Sequence, residues 1–432
     1  MRRIAMALFA LLIVSMVQLA AVQMSTATEV REAVTYTLST TVEVELTSST
    51  AGSGNITIKA YGVPLETDYQ SVEAGVSAGE IAMVEGREIW LIEENGVSIP
   101  GTFEYSATFT VTVDSRNTSP LPVLSLESLS GMEEWVDADS YATLSGSVVA
   151  KANELKNEAG GDVVSILESF SNWIKKEITY NEAYGPVRCT DSEIMGNRAG
   201  VCDEFATLFI SFCRAVGIPA RHRIGYLVED TQQGAELTEH AWAEVWLGES
   251  YGWLQVDLTG FDLGSGNKIA TADNMSGSSV KVNALGPAGT TVGTPSLTSR
   301  IVGQTEISVV ENPSTITVEN LDNEWVVTLS NNTDMPLLEN FTVQRRVEGQ
   351  ASTVNWPKIS ENVIILGPNE SRTFTLGRDQ EYFVYSRMSG DSKLLMNAMS
   401  LGLPIDDEML MYIVVAVVVG CAVAAGVAVA RR

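Results

Sequence analysis

Gly200-Val201-Cys202-Asp203-Glu204-Phe205-Ala206-Thr207-Leu208-Phe209 opens the stretch whose reading decides the fold. It runs on through Gly217-Ile218-Pro219-Ala220-Arg221 to Glu239-His240-Ala241-Trp242-Ala243-Glu244-Val245-Trp246, and closes with Gly252-Trp253-Leu254-Gln255-Val256-Asp257-Leu258-Thr259. Phe205, Leu208, Phe209, Phe212 and Val216 recur at helical spacing, and Gly217-Ile218-Pro219 is a helix stop. Cys202 falls in the first turn of this helix, where unpaired amides and the macrodipole favour an anion and could hold an oxyanion. Taken alone, Cys202 reads as a small buried hydrophobe, and Cys213, deep in the same helix, is read that way.

The next two segments supply what a lone cysteine lacks. From His240 to Leu247 the alternate residues Ala241, Ala243, Val245 and Leu247 share an apolar face, leaving His240, Trp242, Glu244 and Trp246 on the other. Leu254, Val256 and Leu258 likewise oppose Trp253, Gln255 and Asp257, and Gly248 to Gly252 makes a hairpin loop. Matching the apolar faces fixes the register parity, because a one-residue slip would invert one strand. His240 and Asp257 are then expected on one face, opposed or one diagonal apart, where a carboxylate can orient an imidazole and stabilise its charged form. The other histidine, His222, is flanked by Arg221 and Arg223 and reads as structural. Two histidines without a Cys-x-x-Cys pair do not build the usual zinc shells, so neither a metal nor another cofactor is expected.

These spaced blocks resemble the transglutaminase-like superfamily over roughly Val163 to Thr259. The resemblance implies a papain-like core with Cys202 as nucleophile, His240 as general base and acid, and Asp257 as its orienter. It implies a thioester formed from a carboxamide or peptide carbonyl, resolved by water or by an amine. It identifies no oxyanion side chain; Tyr180 is the candidate. Calcium dependence, found in some members, is not carried over.

Around this core the chain is expected to be α+β, a papain-like transglutaminase core flanked by two β-sandwich-like domains and followed by a C-terminal transmembrane helix. Residues 28–135 form the first β-rich domain, with period-two runs at Thr41–Leu46 and Ala107–Val113. Residues 136–262 form the catalytic domain, whose helical pattern includes Val163, Ile166, Phe170, Trp173 and Ile174 behind a capping Asp162. The Gly-, Ser- and Thr-rich residues 263–300 read as a linker. Residues 301–395 read as a second sandwich, a spacer before the membrane.

Arg2, Arg3 and the apolar run that follows match an export signal over 1–27, an uncleaved anchor being the alternative. Residues 409–430 are uncharged, about 33 Å at helical rise, and Arg431-Arg432 follow them. The expectation is a single-pass surface protein with its bulk outside. Asn-Xaa-Ser/Thr sequences at Asn55, Asn117, Asn274, Asn331, Asn340 and Asn369 are in keeping with that placement. Of the 432 residues, 54 are acidic and 27 basic, a net charge of −27, so nucleic acid is not an expected partner. Neither is calcium, because no loop alternates carboxylates around a central glycine. Cys189 could pair with Cys213, or with Cys202 as an off-switch; spacing does not decide. The expected activity is that of a membrane-anchored extracellular cysteine protease, amidase or acyltransferase acting on a protein or peptide at the cell surface. The rival is a non-catalytic binding or scaffolding protein with a papain-like core.

Overall fold

The computed structural model describes residues 29–396, apart from 118, 186, 274, 276–278, 322, 348–355 and 387–390. The expected export signal, the transmembrane segment and Asn274 lie outside the described residues. Among the described residues no helix is long and apolar enough to cross a membrane.

The N-terminal strands are β1 (Val30–Thr47), β2 (Gly52–Tyr61), β3 (Gln70–Val76), β4 (Glu80–Val84), β5 (Arg87–Ile99) and β6 (Gly101–Asp114). Alternate residues point inward: Val42, Val44 and Leu46 of β1 and Phe109, Val111 and Val113 of β6 are all fully buried, while Glu43 and Glu45 are not. β1, β6 and β3 belong to one sheet, and β2, β5 and β4 to a second.

The central domain contains α1 (Gly146–Ala159), α2 (Val163–Glu177), the two-residue parallel pair β7 (Thr179–Tyr180) and β8 (Ala199–Gly200), α3 (Asp191–Asn197) and α4 (Cys202–Ala215). Then come β9 (Ala220–Thr231), β10 (Gly234–Trp246), β11 (Trp253–Val256) and β12 (Lys268–Ala272), in the antiparallel order β11-β10-β9-β12. Asp162 caps α2, its side chain accepting from Ser165 N at 3.0 Å. α4 ends as its sequence dictates, with Ile218 N returning to Cys213 O at 2.9 Å. Phe205, Leu208, Phe209 and Phe212 of α4 share one core with Ala243, Val245, Leu254 and Val256, so the helix lies on the apolar face of the hairpin.

The stretch expected as a linker, 263–300, is built differently. It supplies β12 to the central sheet, then β13 (Ser279–Leu285), β14 (Thr291–Val292) and β15 (Ser296–Val310), which pair with β2 and β1. The N-terminal sandwich is thus completed by strands that follow the central domain. These are half-buried strands whose outward positions carry Ser, Thr and Lys; Val280, Val282, Leu297 and Ile301 pack on the sandwich core. The polar residues gave the stretch its loop-like composition.

The last sandwich has sheets β16-β17-β20 and β19-β18-β21-β22, from β16 (Ser314–Leu321), β17 (Glu324–Asn331), β18 (Leu337–Arg345), β19 (Lys358–Leu366), β20 (Ser371–Gly377), β21 (Tyr382–Ser386) and β22 (Ser392–Leu395). It is docked more closely than a spacer would be. The Asn172 side chain on α2 donates to Val363 O at 2.9 Å and accepts from Val363 N at 2.7 Å, imitating a strand partner for β19. Leu338, Val363 and Ile365 join the core of the central domain. Asn331 is buried, its amide donating to Met335 O and Gly367 O at 2.9 and 2.8 Å. That removes Asn331 from the glycan-acceptor positions suggested by its motif, whereas Asn55 and Asn369 are exposed.

The N-terminal sandwich meets the central sheet through a buried ion cluster. Glu244 on β10 has no exposed surface; it takes Arg223 Nη2 at 2.6 Å, Arg221 Nε at 2.8 Å and Tyr69 Oη at 2.6 Å. Burial raises the Glu244 carboxyl, but the two guanidinium charges outweigh it and hold the group below the usual range. Glu244→Ala leaves Arg223 buried without its anion, and we expect a loss of about 3–5 kcal/mol in urea unfolding. A loss below about 1 kcal/mol would contradict this view of the junction.

Candidate functional site

Cys202 occupies the first position of α4, behind the extended N-cap residue Val201, and is partly accessible. The approach to this turn depends on Gly200: a Cβ there would stand 2.3 Å from Glu204 Cβ. Glu204, at the third helical position, folds back to cap its own helix. Its Oε2 accepts from Val201 N at 2.8 Å and its Oε1 from Cys189 N at 3.1 Å. Burial pushes this carboxyl up to about 7, with Asp203 adding to the effect and the two amides opposing it. One carboxyl therefore ties the cysteine's turn to the segment carrying Cys189. The motif contains Glu204, but its contact with Cys189 is not legible from spacing.

His240 lies on β10, one strand from the end of β11. The observed pairs Ala243↔Val256 and Val245↔Leu254 set the apolar residues opposite one another, the parity read from the sequence. Continuing that register places Asp257 opposite Trp242, one diagonal from His240. His240 Nε2 lies 2.7 Å from Asp257 Oδ2. Because the carboxylate accepts, Nε2 carries the hydrogen, and Nδ1 remains for the thiol. Cys202 lies near enough to interact with the same ring. The structure therefore brings together the three residues that the sequence singled out.

Asp257 is only 2% exposed and is satisfied on both oxygens. Its Oδ1 accepts from Thr259 N at 3.0 Å, Thr259 Oγ1 at 2.8 Å and Gly260 N at 3.0 Å. Gly260 is required by this closeness, since a Cβ would lie 2.7 Å from Asp257 Oδ2. Burial works to raise the Asp257 carboxyl, but His240, the Lys268 ammonium and the amides hold it well below the usual carboxylate range. Burial likewise works to lower the His240 imidazole. The charge and hydrogen bond of Asp257, with a contribution from Cys202, raise it instead to about 10.

Tyr180 is 52% exposed on β7, beside β8 and the start of α4, with its ring 6.2 Å from that of Phe205. Burial raises its phenol, and the proximity of Cys202 adds to the rise. His222 is buried with Nε2 2.9 Å from Thr207 Oγ1 and is pushed down to about 4 by burial, so it stays neutral as a structural side chain. Cys189, Cys202 and Cys213 are all free in this structure, Cys189 and Cys213 being buried, so neither disulfide pairing is formed in it. Among the described residues no group of His, Cys, Asp and Glu has the arrangement of a metal shell. Lys268, buried beside Asp257, went unremarked in the sequence because it stands in the stretch read as a linker.

Because the folded imidazole titrates near 10 and an unfolded one near 6.5, the stability it contributes is complete below pH 6.5. It is lost as pH rises through about 10. Urea unfolding of wild type and His240→Ala should differ more at pH 6 than at pH 10. A difference that grows toward alkaline pH would contradict the assignment.

Residues 150–258 match the Transglutaminase-like superfamily. Uncharacterized proteins of Mycobacterium bovis and Mycobacterium tuberculosis are 32% identical over 105 residues, covering 22% of this chain and 33% of each relative. The chain thus spans about a third of the length of the curated relatives it matches. A solved structure from Cytophaga hutchinsonii, provisionally described as a cysteine protease, aligns at 20% identity and TM-score 0.44 over 64% of this chain and 93% of that one. The periplasmic domain of TgpA from Pseudomonas aeruginosa aligns at 15% identity and TM-score 0.28, over 54% of this chain and 90% of that one. Residues 150–258 of this chain are a transglutaminase-like domain.

Proposed function

We propose that the chain is a thiol enzyme that cleaves or transfers amide bonds, with Cys202 as nucleophile, His240 as base and acid, and Asp257 as orienter. One observation carries this reading: a single half-buried imidazole is held at 2.7 Å by a carboxylate through Nε2 and also interacts with a cysteine at a helix start. A structural His–Asp pair has no need of the thiol, and a merely buried cysteine has no need of the pair.

The chemistry follows from the placement. Cys202 gives its proton to His240 Nδ1, and Sγ bonds to the carbonyl carbon of a carboxamide or peptide. The carbonyl oxygen, now negative, faces the first amides of α4, with the Tyr180 hydroxyl as the side-chain donor at the rim. Asp257 keeps the imidazolium in place by accepting from Nε2. The imidazolium returns the proton to the departing nitrogen, the C–N bond breaks, and a thioester remains on Cys202. His240 then deprotonates a water or an amine as it adds to the thioester carbonyl, the C–S bond breaks to release a carboxylic acid or a new amide, and the proton returns to Cys202 Sγ.

The apolar segments at 4–22 and 409–430 support a chain exported and anchored in a membrane, with the domains facing a protein or peptide outside the cell. The test is an acid-quenched intact-mass measurement after mixing the full chain with glutamine-containing peptides, with and without a primary amine. The expected result is a thioester mass on wild type, absent from Cys202→Ala, that amine removes as an amide product. Adduct formation that survives Cys202→Ala would overturn the assignment of the nucleophile.

A further inference from the structure

Lys268 stands on β12 with no exposed surface, an uncommon place for an ammonium. Its Nζ lies 2.9 Å from Asp262 Oδ2, an ion-pair contact without hydrogen-bond alignment. It lies 3.9 Å from Asp257 Oδ2, the same oxygen that takes the His240 hydrogen bond. The Trp242 ring centroid is 5.7 Å away. Four groups therefore alternate in sign when the imidazole is charged: His240, Asp257, Lys268 and Asp262.

The second carboxylate is fixed as firmly as the first. Asp257 and Asp262 exchange backbone hydrogen bonds at 2.8 and 3.0 Å, closing the loop between them. Asp262 Oδ1 accepts from Gly264 N at 2.8 Å and Ser265 N at 2.7 Å. β12 is held too, for Gln70 of the N-terminal sandwich accepts from Ala270 N at 2.8 Å and donates to Ala270 O at 2.9 Å. Lys268 is thus presented to Asp257 by a clamped strand. The other titratable groups near the pair are Cys202 on α4, Tyr180 on β7 and Lys175 on α2, whose ammonium is engaged by Leu258 O at 3.1 Å and the Phe261 ring at 4.0 Å.

We propose that Lys268 is a positioning residue of this site: its ammonium, shared between Asp262 and Asp257, draws part of the Asp257 charge away from the imidazole. The inference rests on reading Cys202, His240 and Asp257 as a thiol-enzyme centre. His240 must accept the thiol proton and then release it to the leaving nitrogen. An imidazolium gripped by an unshared buried carboxylate is too weak an acid for the second step. A cation on the far side of that carboxylate weakens the grip without removing the orienting hydrogen bond. Asp262 in turn limits how much of the lysine's charge Asp257 receives.

The sign of each effect can be read directly, because the chain has only two histidines. The full chain, labelled at the histidine ring carbon, is titrated by NMR, and the His240 resonance is assigned by its loss in His240→Ala. Lys268→Met should raise the His240 midpoint by roughly one pH unit or more, and Asp262→Asn should lower it by a similar amount. The double variant, which removes one charge of each sign, should return it close to wild type. A purely packing role for Lys268 predicts no opposed shifts and no rescue. If the single variants leave the midpoint unchanged, or Lys268→Met lowers it because Asp257 has taken up a proton, the proposal is wrong. Should Lys268→Met fail to fold, Asp262→Asn and the double variant still carry the test, the first against an unmoved midpoint and the second against lack of rescue. Alkylation of wild-type Cys202 no faster than an ordinary thiol would instead overturn the underlying site, whatever the titrations show.

Discussion

Asp257 keeps its charge where water scarcely reaches it, and meeting that requirement organises much of its surroundings. An unpaired carboxylate would lose several kcal/mol on such burial and would take up a proton instead. Here one oxygen is saturated by the turn that follows, through Thr259 and Gly260, and the other is turned toward His240 with Lys268 behind it. The imidazole is fixed in ring orientation and tautomer as a consequence. Cys202 comes near this ring because Phe205, Phe209 and Phe212 seat α4 on the hairpin's apolar face.

The route of the chain reinforces this arrangement. β1 leaves the N-terminal sandwich unfinished, and β13 to β15 complete it only after the transglutaminase-like domain has been traversed. The central sheet therefore sits between two chain segments that must pair with each other. Gln70 covers the outer edge of β12 like a one-residue strand, and Tyr69 beside it reaches Glu244 on β10. An exposed edge that would otherwise invite pairing is covered by the neighbouring domain. On the opposite side Asn172 and Glu168 of α2 bind the backbone of β19, with Glu168 also meeting Arg372 at 2.6 Å. The N-terminal sandwich thus bears on strands that carry the site, and the last sandwich on α2.

What the sequence disclosed were features set by local periodicity. The 3.6-residue stripe ending at Gly217 located α4 and put Cys202 in its first turn; the period-two alternation around His240 and Asp257 fixed their common face. Both are consequences of backbone geometry, so a single sequence suffices. Lys268 and the strands after it were hidden for an equally physical reason. A strand with one face toward solvent can fill that face with Ser, Thr and Gly and so resemble a linker, and β12 is identified only by the partner it finds in β9. The pairing of Glu244 with Arg221, Arg223 and Tyr69 joins residues distant in sequence, and no spacing rule announces it. Asn331 shows the converse: a legible surface motif whose side chain serves a buried turn.

The account stands on Cys202 being activated by His240, and iodoacetamide alkylation of the full chain under reducing conditions tests that most directly. Rates at Cys202, followed by peptide mapping across pH, should exceed those of an unfolded cysteine peptide at and below neutrality. They should fall toward the peptide's rates in His240→Ala, with Cys189 and Cys213 slow throughout because they are buried. Cys202 alkylation that matches the unfolded peptide at every pH, and is indifferent to His240→Ala, would contradict the account.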